Sequence, residues 1–122
     1  MSLLYDDCFE KGKGMFAGGI RYLSGTLETY GNTNTADSLT AIKELVYEKK
    51  TVSKDELLKA LDSNFVNYEK TRQQLLKTPK YGNDNDSADK MLVDVHEHVC
   101  NYVKDQAERV GLQSFLVVVI NN

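Results

Sequence analysis

The sequence has no tryptophan, a single proline (Pro79) and only two cysteines (Cys8 and Cys100) among 122 residues. So few cysteines, so far apart, exclude a disulfide-stapled scaffold and match no zinc-ligand spacing; two reduced thiols are expected. One proline leaves little to interrupt helices. Basic residues are not in excess: 15 Lys and Arg stand against 18 Asp and Glu, a net charge of −3. Phosphate binding needs a basic surface, so nucleic acid is not expected as a partner. No apolar run reaches the roughly 20 residues of a membrane-spanning helix. No charged-then-apolar leader opens the chain, and a cytoplasmic location is expected.

What is present suits one globular unit. The chain is 41% hydrophobic and 27% charged, and a domain of this length can bury about two-thirds of its unfolded surface. The patterning predicts a mainly α fold with a short β component. Residues 1–34 read as a short helix (residues 4–13, with Leu4 and Cys8 inward) followed by a glycine-rich loop, in which residues 20–23 are a brief extended segment. A loop of that length is often functional. Residues 35–111 read as successive helices. The first is capped by Thr33 or Thr35 and buries Leu39, Ile42, Leu45 and Val46 at helical spacing. Ser53-Lys54-Asp55-Glu56 is a capping box that opens the next, with Leu57, Leu58, Leu61 and Phe65 as its apolar stripe. A third piece, residues 67–77, turns Tyr68, Leu75 and Leu76 inward and is stopped by the pre-proline restriction at Thr78. The longest, from about Ser87 to Val110, keeps the helical period through Met91, Leu92, Val95, Val99, Tyr102, Val103 and Ala107, and Gly111 is its expected stop.

Residues 112–122 read as a terminal strand. Ser114–Ile120 is β-branched and apolar on both faces, as in a strand buried inside a sheet. The rest of the chain offers it hardly any strand to pair with. Open edges of this kind seek partners, so self-association through this segment is expected.

No self-sufficient catalytic set is visible. His96 and Cys100 share a helix face, but His98 does not, and two ligands are too few for zinc; no metal site is expected. Asn83-Asp84-Asn85-Asp86 has the oxygen-rich look of a calcium loop without its turn glycine or its final glutamate, and reads as a turn leading into a helix cap. Gly12-Lys13-Gly14 and Gly18-Gly19 lack the strand before and the helix after that a phosphate loop requires, and read as tight backbone packing. Cys8 has acidic neighbours and no basic activator, so a nucleophilic role is not expected.

Five stretches, taken in register, carry a resemblance. They are Asp7-Cys8-x-Glu10-Lys11-Gly12, Gly18-Gly19-Ile20-Arg21-Tyr22, Ala36-Asp37-Ser38-Leu39-x-Ala41-Ile42-Lys43, Glu56-Leu57-Leu58-x-Ala60-Leu61-x-x-Asn64-Phe65 and Lys80-Tyr81-Gly82-Asn83-Asp84. Their order and spacing resemble the later part of the large domain of glycyl radical enzymes. That family includes pyruvate formate-lyase (formate C-acetyltransferase) and the glycerol, diol and hydroxyproline dehydratases.

The resemblance implies a piece of a ten-stranded α/β barrel. It implies a parent enzyme that uses a thiyl radical on a loop cysteine and a backbone glycyl radical, installed by a separate activase with S-adenosylmethionine and an iron–sulfur cluster. The family's Gly-Cys-x-Glu-like and Arg-Val-x-Gly motifs have no match in this sequence, and neither Cys8 nor Cys100 sits at the thiyl position. The chain is therefore expected to be an inactive fragment that binds no cofactor itself. The terminal strand would be one barrel strand, and Asn121 and Asn122, with Tyr22, would border the substrate cavity. The alternative is a free-standing helical binding module whose last strand augments a partner or a second copy.

Overall fold

The computed structural model describes residues 2–112 and 114–120. In chain order, a 3₁₀ turn at Ser2–Leu4 and another at Met15–Ala17 precede strand β1 (Ser24–Tyr30). Helices α1 (Asn32–Ile42), α2 (Lys54–Asp62), α3 (Glu69–Leu76) and α4 (Asp86–Arg109) follow, and strand β2 (Ser114–Ile120) comes last. The residues form two compact units. One contains the chain up to Tyr30 together with His98–Ile120, and the other contains Gly31–Glu97.

The first unit is organised by backbone pairing. β1 and β2 run parallel, in register from Ser24 beside Ser114 to Tyr30 beside Ile120. The terminal strand thus has a partner in its own chain, contrary to the expectation that hardly any exists. That partner is residues 24–30, not the predicted 20–23, and it was hidden by composition. Ser24-Gly25-Thr26-Leu27-Glu28-Thr29-Tyr30 holds one aliphatic side chain, so it shows no apolar run. Parallel pairing needs a long crossover, and here the helices lie between the two strands in sequence. Thr29 adds a side-chain link, its Oγ1 donating to the Val118 carbonyl at 3.1 Å.

The predicted helix over residues 4–13 is not formed. Asp7 takes a φ of +69°, which no helix accommodates. The segment instead winds through turns, with Lys11 N–H donating to the Asp7 carbonyl and Lys13 N–H to the Cys8 carbonyl. The close backbone packing expected at Gly18-Gly19 is present at Gly19 and not at Gly18, where a Cβ would meet nothing within 4 Å. A Cβ on Gly19 would stand 2.3 Å from the Lys13 carbonyl oxygen and 2.8 Å from Cys8 Sγ.

The second unit is a helical layer around Leu45, Val46, Val52 and Leu57, with Ile42 and Leu75 packed on them. α1 starts at Asn32, earlier than expected. Its N-cap position is Gly31, with no side-chain cap, so neither Thr33 nor Thr35 is the cap residue. Its last turns widen into a π-helical segment, Lys43–Glu48, in which Lys49 N–H reaches back to the Glu44 carbonyl. This turns Leu45 and Val46 into the core, while Leu39 stays exposed. α2 begins as its capping box predicts, Ser53 Oγ accepting from Glu56 N–H at 3.1 Å. The Glu56 carboxylate does not complete the box. It accepts instead from Thr71 Oγ1 on α3 at 2.5 Å, tying the two helices together. Leu57 is buried, but Leu58, Leu61 and Leu76, expected to be inward, are all more than half exposed.

α3 ends where Thr78 and Pro79 were expected to stop it. Lys80 Nζ caps that end, donating to the Leu75 carbonyl at 3.2 Å and to the Thr78 carbonyl and Oγ1, both at 2.8 Å. α4 is the predicted long helix. Asn85 Oδ1 caps its start by accepting from Ser87 and Ala88 N–H. At its far end Gly111 sits at φ +74°. Leu112 N–H returns to the Ala107 carbonyl and Gly111 N–H to that of Glu108, the Schellman arrangement that only a left-handed residue closes.

Candidate functional site

Tyr22 lines a hollow of about 420 Å³ in the first unit, together with Tyr5, Asp6, Phe16 and Arg21. It is 73% exposed. Arg21, beside it, is already committed. Its Nε and an Nη donate to both oxygens of Asp7, at 2.9 and 2.6 Å, and Lys11 Nζ stands 3.5 Å from the same carboxylate. The hydrogen bond from Arg21 holds the Asp7 carboxyl below the usual carboxylate range, and Asp7 in turn raises Arg21. The bidentate pair fixes the Asp7 side chain in one geometry. The arrangement orders the segment and commits Arg21 to Asp7, with Asp6, Tyr5 and Tyr22 among the polar groups that line the hollow.

Of the other two predicted cavity residues, Asn121 and Asn122 lie outside the described residues. In sequence they come after Ile120, which closes the carboxyl end of the ladder, whereas Tyr22 precedes Ser24, which opens its amino end. Seven residues of parallel strand separate those ends by about 20 Å, at roughly 3.3 Å per residue. Tyr22 and Ile120 therefore stand at opposite ends of the ladder.

A larger concavity lies elsewhere in the first unit and has no counterpart in the sequence reading. In the first unit, Gly25, Thr26 and Leu27 of β1 face Val99, Tyr102, Val103 and Ala107 of α4, and Leu112 and Phe115 close the floor of an apolar groove of about 570 Å³. Its polar groups are few, with His98 and Gln106 on the α4 side. The α4 wall was legible as an apolar stripe; the facing wall was not, because β1 went unrecognised. A second apolar hollow, about 450 Å³, lies in the helical unit between Ile42, Leu57, Phe65 and Leu75, with Asp37 and Lys80 among its lining. Both of those polar groups are occupied: Asp37 accepts from Tyr81 N–H at 2.8 Å, and Lys80 caps α3.

The described residues bring no catalytic set together. Cys8 is 3% exposed, packed against Gly19. Cys100 is half-buried on α4, one turn beyond His96, and neither cysteine forms a disulfide. Among the described residues no group of three His, Cys, Asp or Glu side chains could hold a metal ion, and no helix is long and apolar enough to cross a membrane. The Asn83–Asp86 stretch serves the backbone: Asn85 caps α4, and Gly82 N–H donates to Asp89 at 3.2 Å.

Comparison with known proteins supplies what the geometry does not. The pyruvate formate lyase-like family matches residues 1–120. The trans-4-hydroxy-L-proline dehydratase of Clostridioides difficile is 46% identical over 104 residues, which are 84% of this chain and 13% of that enzyme. A solved structure of hydroxyproline dehydratase from the same organism, with trans-4-hydroxy-L-proline bound, superposes with a TM-score of 0.70 at 47% identity, over 79% of this chain and 12% of that one. The glycerol-bound glycerol dehydratase of Clostridium butyricum superposes with a TM-score of 0.78 at 33% identity, over 84% of this chain and 13% of that one. The chain thus spans about an eighth of the length of the relatives it matches.

Proposed function

This chain belongs to the pyruvate formate lyase-like family of glycyl radical enzymes, and on that premise we propose that it is a wall segment of a radical dehydratase and has no activity alone. The observation that carries the reading is the 46% identity to a hydroxyproline dehydratase across most of the chain. Its nearest chemistry is therefore loss of water from a small hydroxylated substrate, ahead of formate C-acetyl transfer. Parallel strands joined through helices are the repeating unit of an α/β barrel, and β2, apolar on both faces, suits an internal position in one. These features support two neighbouring strands of a ten-stranded barrel.

The residues present do not fit the radical machinery. A thiyl radical must meet its substrate, but Cys8 is enclosed by its own turn, and Cys100 projects from the middle of α4. The glycyl radical belongs to another part of the parent enzyme, and a separate S-adenosylmethionine activase installs it. Within this chain, the carboxyl ends of the parallel strands are the side on which α/β folds place their ligands. This supports a cavity border near the residues that follow Ile120 in sequence, Asn121 and Asn122, while Tyr22 precedes the amino end of β1. Two cysteines without a disulfide fit a reducing, cytoplasmic setting.

Segment exchange tests the reading. This chain, placed in C. difficile hydroxyproline dehydratase in place of the matching segment and activated anaerobically, should keep the glycyl radical signal and dehydrate trans-4-hydroxy-L-proline. The isolated chain, treated in the same way, should form no product. A folded, radical-bearing chimera without dehydration would overturn the dehydratase assignment, and turnover by the isolated chain would overturn its dependence on the parent.

The alternative, a self-associating module, is favoured by one feature. Leu116 in β2 is 59% exposed in a segment without a single charge, and uncharged edges pair with other edges. The isolated chain should therefore sediment as dimers or larger species, and Leu116→Lys should return it to monomer. A concentration-independent monomer from the unaltered chain would exclude this association.

A further inference from the structure

We draw no further inference here: the strongest candidate, the apolar groove between β1 and the second half of α4, is an uncovered face, and nothing in the structure shows what covers it.

Discussion

The two units of the chain are held together in different ways. In the helical unit, side chains do the work: Val52 is 1% exposed, and Leu45, Val46 and Leu57 close around it. In the strand-bearing unit, the backbone does it. There the buried apolar side chains among the described residues are small, Cys8 and Ala107, and the ladder between β1 and β2 carries the order. The first kind of cohesion is local, since residues 42–75 supply the whole cluster. The second joins the two ends of the sequence. The helical unit therefore has the means to hold its shape from within, while the strand unit keeps an apolar wall of α4 open.

That contrast can be broken most forcefully in the helical core. Leu57→Ala should cost about 2–5 kcal/mol, as for other buried leucines truncated to alanine. Urea unfolding should show it, with amide protection lost across residues 31–97. In the strand unit the side chains have less to lose, so the comparable lesion is steric. Gly19→Ala sets a methyl group against the Lys13 carbonyl and Cys8 Sγ and should cost about 1–3 kcal/mol, typical of overpacking. Hydrogen exchange should place the loss in residues 2–23 and leave the Leu45–Leu57 cluster protected.

The smallest effect should come from the Asp7–Arg21 fork, which is exposed to solvent. Because Arg21 lowers the folded-state pKa of Asp7, the pair stabilises fully above the unfolded aspartate value, about 3.9. The contribution is lost as pH falls through the lower, folded value. Arg21→Gln should move the Asp7 carboxyl titration upward in a carbon-detected NMR series and flatten the acid limb of stability. A titration unchanged by the substitution would mean that the fork does not form in solution.

The contrast also decides what could be read from the sequence. Side-chain cohesion leaves a periodic trace. α4 was visible from Met91 to Ala107, and its end from Gly111; α2 was visible from Ser53 and Glu56. Backbone cohesion leaves little. β1 has Thr26, Thr29 and Tyr30, which favour strands, but Gly25 and Glu28 dilute the signal, and its partner's greasiness substitutes for its own. The turn at Asp7 leaves no local trace, and the side-chain partner of Asp7, Arg21, lies 14 positions away. Leu58, Leu61 and Leu76 matched the helical period yet stand exposed, because periodicity shows which face is apolar and not what lies against it. Of the candidate site, resemblance alone groups Tyr22 with Asn121 and Asn122; the direction of the ladder, which no composition reveals, sets Tyr22 and Ile120 near its opposite ends.

The ladder also sets a schedule for the nascent polypeptide. Thr29 must wait for Val118, made 89 positions later, which at about 5–20 residues per second is a delay on the order of ten seconds. The strand that emerges early is the hydrophilic one, able to idle in water on the ribosome. The sticky one emerges later, when its companion is already there to receive it.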